Sequence, residues 1–133
     1  MTDIYFGYEL IRSHVLTNIL GEDTEKILYW AGKELAREFE QTSFEDITAF
    51  FAKAGWGELS LERNTSKKMT LTLKGEAVDA RIHYGKKINY ALESGFLAKQ
   101  LEFVQNRIVE AHAEINHKKG FVLFTIMWED FEV

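Results

Sequence analysis

The segment Ala54-Gly55-Trp56-Gly57-Glu58-Leu59-Ser60-Leu61-Glu62 decides the fold of this chain. Before it, apolar residues recur at the three- and four-residue spacing of a helix. After it, Leu59 and Leu61 alternate with polar residues, as in a half-buried strand. Gly55 is a natural helix terminator because glycine adopts the left-handed conformation at little cost. The segment therefore predicts a change from a helical N-terminal part to a small sheet.

Three helices are predicted before this point. In the first, Tyr8, Ile11, Val15 and Ile19 form an apolar stripe that ends at Gly21. The second begins near Asp23-Thr24, and Gly32 inside it indicates close packing against a neighbouring helix. Its core face is expected to hold Ile27, Leu28, Ala31, Leu35 and Phe39. The third helix starts with Thr42-Ser43-Phe44-Glu45, which we interpret as a capping box with Thr42 at the cap.

A hairpin, a long helix and a final strand are predicted after it. The hairpin joins 56–63 to 69–74 through a turn at 64–67. The segment 76–84 fits either a strand or a helical turn, and a third strand is favoured. The longest helix is predicted from Ile88 to His117, with its core stripe at Leu97, Leu101, Val104, Ile108 and Ile115. Because 121–128 is almost entirely apolar, we expect a central strand covered on both faces.

The composition narrows the classes of function. The chain has 133 residues, of which 46% are hydrophobic, and its net charge is −5. An acidic balance argues against nucleic acid as a partner, and no apolar run is long enough to cross a membrane. The chain contains no cysteine, which excludes disulfides and thiolate chemistry, and its first residues lack the pattern of a signal peptide. We therefore expect one α+β domain, residues 1–133, in the cytoplasm.

Several short segments of the sequence resemble the superfamily of TRAPP subunits and vinyl-reductase-type small-molecule-binding domains. They most closely resemble a Gram-positive bacterial branch of unknown function. They are Tyr8 to Arg12, Tyr29 to Ala36, Ala54 to Gly57, Asn89 to Leu97 and the closing Gly120 to Trp128 segment. The resemblance implies a TRAPP-subunit-like fold with N-terminal helices and a long helix packed on a small antiparallel sheet. It also implies either dimerisation through the N-terminal helices or binding of an apolar small molecule. Without cysteine, such a ligand would be held non-covalently.

Two sets of residues follow from these readings. A ligand pocket near the Gly-Trp-Gly turn would be lined by Phe50, Phe51, Trp56, Phe96 and Phe103. A homodimer interface would use Leu16, Ile19, Leu20, Tyr29 and Trp30, because Tyr29 and Trp30 lie off the core face of their helix. The alternative for Trp30 is that the first helix covers it.

Neither catalysis nor metal binding is predicted. The serines lack a nucleophile motif, and Glu114 and His117 form a single Glu-x-x-His pair where di-iron bundles use two. We therefore expect a non-enzymatic module without a cofactor. Its partners would be a second copy of the chain, an unidentified protein or an apolar small molecule.

Overall fold

The computed structural model describes residues 1–129, so residues 130–133 of the predicted domain lie outside the described residues. A helical N-terminal part precedes a four-stranded antiparallel sheet, as the change of period at the Gly-Trp-Gly turn predicts. The helices are α1 (Ile4–Glu9), α2 (Leu16–Leu20), α3 (Thr24–Glu38), α4 (Phe44–Lys53), α5 (Glu76–Tyr84) and α6 (Ala91–Gln105). The strands are β1 (Glu58–Asn64), β2 (Lys68–Lys74), β3 (Ile108–Asn116) and β4 (Phe121–Glu129).

The sheet has the strand order β1-β2-β4-β3, with every neighbouring pair antiparallel. This confirms that the three predicted strand segments form one sheet with the last strand in its interior. One face of β4 is buried through Val122, Phe124, Ile126 and Trp128. The other face is only partly covered and leaves Met127 exposed, so the expected double-sided burial of this strand is wrong.

The two N-terminal helices are joined by a wider turn of π-helix from Leu10–Val15, where the Leu16 N–H donates to the Ile11 carbonyl five residues back. Together they form one helical segment, 4–20, that ends at Gly21 with a φ of 66°. The prediction for the end of this helix is confirmed. Its apolar stripe, however, does not face the core: Ile11 is 61% exposed and Ile19 is 71% exposed.

Helix α3 packs against α6 through two glycines. A Cβ on Gly32 would lie 2.0 Å from the carbonyl oxygen of Leu92, and a Cβ on Gly95 would lie 1.9 Å from that of Tyr29. The close packing predicted for Gly32 is confirmed. The core face of α3 is formed by Leu28, Gly32 and Ala36, whereas Ile27 and Phe39 from the predicted face are exposed.

The segment predicted as one long helix is divided in two. Helix α6 ends at Gln105, its C-cap Asn106 adopts a left-handed conformation with a φ of 54°, and strand β3 follows. Ile108 and Ile115 therefore lie on a strand, and a helix from Ile88 to His117 is wrong. Helix α6 is buried on nearly all sides because it lies between α3 and the sheet.

Two further predictions need correction. The segment 76–84 is helix α5, which buries Ala77, Val78 and Arg81, so the favoured third strand there is wrong. The cap of α4 is Ser43, whose hydroxyl accepts from the N–H of Asp46, and not Thr42 as predicted.

Candidate functional site

Four charged side chains from three separate helical segments meet in the interior. Arg12 donates two hydrogen bonds to Glu93, one to each carboxylate oxygen, at 2.9 and 2.8 Å. Arg81 forms the second pair with Glu9, and its Nη1 also lies 3.8 Å from Glu93. We call Glu9, Arg12, Arg81 and Glu93 the buried charge cluster; each is at most 5% exposed.

Neutral groups supply further hydrogen bonds to this cluster, although the buried Nε of Arg12 has no partner among the described residues. The carbonyl oxygen of Asn89 accepts from Arg12 at 3.2 Å and from Arg81 at 3.0 Å. The hydroxyl of Ser13 donates to Glu9 at 2.6 Å, and that of Tyr8 accepts from Arg12 at 3.0 Å. Such partners are needed because the loss of water around a buried charge is costly.

The helical turns of segment 4–20 explain why these residues face inward. Glu9, Arg12 and Ser13 are separated by three and four residues and therefore share one side of the segment. The π-helical turn from Leu10–Val15 contains Arg12 and Ser13, and such turns are often found at functional sites. The segment thus presents a polar side to the body of the protein and an apolar side to solvent.

Electrostatics within the cluster favour the ionised forms. Burial of Glu93 opposes its ionisation, but the charge and hydrogen bonds of Arg12, helped by Arg81, hold its pKa below the ordinary value of 4.5. For Arg12, burial opposes the charged form, and the attraction of Glu93 outweighs it and raises the pKa. Burial also raises the pKa of the neighbouring Tyr90, whose ring lies 4.4 Å below the Arg81 guanidinium.

A cleft of about 200 Å³ borders the buried charge cluster. Arg81 and Glu93 form its polar end, and the other walls come from α1, α5 and the Gly-Trp-Gly turn. The lining residues are Ile4, Tyr5, Tyr8, Ala54, Gly55, Trp56, Ala77, Arg81 and Glu93. A small molecule there would lie between an apolar wall and two charged groups.

Four of the five residues predicted to line a ligand pocket contact one another. Phe50 stacks on Phe96 with 4.6 Å between ring centroids, and Trp56 lies 4.9 Å from Phe51 and 5.4 Å from Phe96. Phe103 is separate and exposed, with Lys99 above its ring. A ligand between α4 and α6 would therefore have to displace a ring, and the cleft next to the turn shares only Trp56 with the predicted lining.

The residues predicted for the dimer interface are divided between surface and interior. Ile19 and Trp30 are exposed, Trp30 at 62%, so the first helix does not cover this indole. Leu16 and Leu20 are half-buried. Tyr29 faces the sheet instead, since its hydroxyl accepts from the N–H of Ala111 at 3.2 Å.

Sequence reasoning missed the buried charge cluster. Glu9 and Arg12 lie in one of the segments that carry the family resemblance, and Glu93 lies in another. The segments alone do not show that these residues contact one another. A signal was present in segment 4–20: Glu9 and Arg12 are its only acidic or basic side chains apart from His14. Two opposite charges on one side of an otherwise uncharged helix favour a shared environment.

Comparison with known proteins places the chain in a family. Residues 5–127 match the model of a protein family of unknown function, DUF2507, and the chain belongs to that family. It is similar to the uncharacterised protein YslB of Bacillus subtilis (strain 168), with 36% identity over 124 residues, 93% of this chain and 84% of that protein.

Two solved structures share the fold. A vinyl-4-reductase family protein from Methanocaldococcus jannaschii matches with a TM-score of 0.69 at 17% identity, covering 98% of this chain and 83% of that one. Subunit 3 of a trafficking protein particle complex from Naegleria fowleri, covalently bound to palmitic acid, matches with a TM-score of 0.58 at 13% identity, covering 96% of both chains. The described residues contain no helix that is long and apolar enough to span a membrane.

Proposed function

Starting from its place in this family of unknown function, we propose that the chain is a non-catalytic module that forms a homodimer through its N-terminal helices. The observation that carries the proposal is the exposed side of segment 4–20. We call Ile4, Tyr8, Ile11, Val15 and Ile19 the N-terminal apolar face; all five are exposed. Monomeric proteins rarely expose contiguous apolar patches larger than a few hundred Å², and a large patch commonly marks an interface.

The charge distribution favours a second copy of the chain as the partner. The acidic and basic side chains of segment 4–20 are Glu9 and Arg12, and both are buried. In a symmetric dimer a surface meets its own copy, so a charge near the axis would face a like charge. An exposed face free of such charges is suited to self-association. Trp30, exposed on the next long helix, supplies the kind of aromatic anchor that dominates interface energies.

Sedimentation equilibrium tests this proposal. Truncation of an interface anchor commonly costs about 2 kcal/mol, so Trp30→Ala should weaken the dimer by roughly thirtyfold or more. Met127→Ala is the matched control, because Met127 is 52% exposed but lies on the sheet. A wild-type monomer at high micromolar concentration, or a Trp30→Ala variant that dimerises like the wild type, would contradict the proposal.

A second candidate function is the non-covalent binding of a small apolar molecule. It is supported by the cleft next to Trp56 and by the palmitic acid that is covalently bound to the trafficking subunit of similar fold. The chain has no cysteine, so a ligand cannot be attached to it through a thioester. Native mass spectrometry of freshly purified protein should show a bound mass that is lost on denaturation; its absence would count against this candidate.

A further inference from the structure

The cleft has the size for one small ring or a short chain. Its volume is about 200 Å³, and an apolar cavity of about 150 Å³ in another protein accepts benzene. The side walls are apolar: Ile4, Trp56 and Ala77 contribute to them. A ligand of this size would lie mainly against carbon and aromatic surface, where its burial is favourable.

The polar end of the cleft presents hydrogen-bond donors to a ligand and few hydrogen-bond acceptors. Both carboxylate oxygens of Glu93 already accept from Arg12. The Nε and Nη1 atoms of Arg81 donate to Glu9 and to the Asn89 carbonyl. No hydrogen bond within residues 1–129 uses its Nη2 amino group, which is therefore the donor available to a ligand. The Tyr8 hydroxyl accepts from Arg12, so its own proton is free to be donated into the cleft that Tyr8 lines.

The charge at this end is balanced. Arg12 and Arg81 contribute two positive charges, and Glu9 and Glu93 two negative ones, in direct ion pairs. An anionic ligand would bring an unbalanced negative charge next to Glu93, and burial of an unpaired charge is costly. An uncharged acceptor, such as a carbonyl oxygen, avoids this cost and still satisfies the available donors.

We propose that this cleft binds a small, uncharged, mostly apolar molecule with one hydrogen-bond acceptor. This acceptor points toward Arg81. The proposal rests on the small-molecule candidate for the function and names the class of ligand. The apolar part contacts Trp56 and Ala77, and the acceptor selects the orientation.

Three probes of matched shape separate the components of this proposal. Acetophenone carries a carbonyl, isopropylbenzene has a methyl group in place of the carbonyl oxygen, and benzoate has an anionic carboxylate in place of the acetyl group. Binding is followed by two-dimensional amide NMR through the indole N–H of Trp56 and the backbone N–H of Gly55. Hydrogen bonds to charged groups contribute more than those between neutral groups, so acetophenone should bind about tenfold more tightly than isopropylbenzene. Benzoate should bind more weakly than acetophenone.

Two variants locate the binding site. Ala77→Leu places a larger apolar side chain in the cleft without substituting any residue of the buried charge cluster, and it should abolish acetophenone binding. Ala91→Leu is the control, because Ala91 lines a different groove between α3 and β3. Binding that persists in Ala77→Leu would overturn the assignment of the site.

The remaining outcomes distinguish the two levels of the proposal. If isopropylbenzene binds as tightly as acetophenone, the requirement for a hydrogen-bond acceptor is wrong, while the small-molecule candidate stands. If benzoate binds more tightly than acetophenone, the uncharged class is wrong. If none of the three probes shifts the Trp56 signal, both the ligand class and the small-molecule candidate for this cleft fail.

Discussion

Single residues determine how closely α3 and α6 approach. Gly32 and Gly95 each face a backbone carbonyl of the opposite helix, so the contact between the helices depends on the absence of both Cβ atoms. The sequence predicted this role for Gly32, because a glycine within a helix is unfavourable unless it permits close packing. The α3–α6 contact is therefore the part of the core that the residue types predict most directly.

Substitution of either glycine should be severely destabilising. Gly32→Ala and Gly95→Ala would each force two backbones apart, and we expect a loss of about 3 kcal/mol or more in the free energy of unfolding. Gly7→Ala is the matched control, since a Cβ at this helical position would have no atom within 4 Å apart from its chain neighbours and its own helix backbone. It should be neutral or stabilising by up to about 1 kcal/mol. Urea unfolding measures all three, and equal effects would refute the packing argument.

The carboxylate of Glu93 should make stability dependent on pH. Because its pKa is lowered in the folded state, its contribution is complete above the ordinary value of 4.5 and is lost as the pH falls through the lowered value. Glu93→Gln leaves Arg12 without its ionic partner, which should cost about 3–5 kcal/mol at neutral pH. The difference between variant and wild type should become smaller in acid.

Urea titrations from about pH 7 to about pH 3 would measure this difference. Glu114→Gln is the control: Glu114 is exposed on β3, and its substitution should change stability by no more than roughly 0.5 kcal/mol. A Glu93→Gln deficit that is the same at both ends of the pH range would show that the ion pair does not produce it.

At the scale of elements, two competing periodicities explain the main error. Val109, Ala111, Ala113 and Ile115 alternate with polar residues and form the inner face of β3. Selecting only Val104, Ile108 and Ile115 gave an apparent helical stripe across the same residues. Asn106 was the local signal for the boundary, because asparagine often takes the left-handed position that ends a helix. Helix α5 was misread because a short apolar segment fits both periods.

The first helical segment shows a different limit of sequence reading. Its periodicity indicates two unlike sides, and the usual inference is that the apolar side is buried. Here Glu9 and Arg12 are buried because their partners, Arg81 and Glu93, lie on α5 and α6. These partners are about 70 to 80 residues away in the chain, a separation that a local pattern does not encode.

The cap of α4 gives a prediction at this scale. Ser43 accepts a hydrogen bond from the N–H of Asp46, whereas the Thr42 hydroxyl contacts the exposed carboxylate of Asp46. Ser43→Ala should therefore lower the free energy of unfolding by about 1 kcal/mol. Thr42→Ala, its adjacent control, should cost roughly 0.5 kcal/mol or less. Thermal unfolding would compare them, and a larger effect of Thr42→Ala would restore the cap predicted from the sequence.

At the scale of the whole molecule, the sequence predicts the architecture better than the site. The hairpin and the apolar last strand specify the centre of the sheet through local periodicity and continuous apolarity. The buried charge cluster and the cleft depend on how segment 4–20 docks on α5 and the start of α6. This docking uses ion pairs between distant residues, so the spacing of Glu9 and Arg12 indicates a shared environment but not which residues they meet. The exposed N-terminal apolar face is the other consequence of the same docking.

If two copies pair through that face, stability should depend on protein concentration. Association that occurs only in the folded state adds about 2.7 kcal/mol when the concentration is a hundredfold above the dissociation constant. The unfolding midpoint of the wild type should therefore rise by several degrees across such a range. Ile11→Lys with Ile19→Lys places like charges on a surface that would meet its own copy, and this variant should lose the concentration dependence. At low concentration its midpoint should remain near that of the wild type, because both positions are exposed.

The control is Met127→Lys, which is exposed on the sheet and should keep the concentration dependence. A wild-type midpoint that is independent of concentration, or one that shifts equally in all three proteins, would exclude pairing through the N-terminal apolar face.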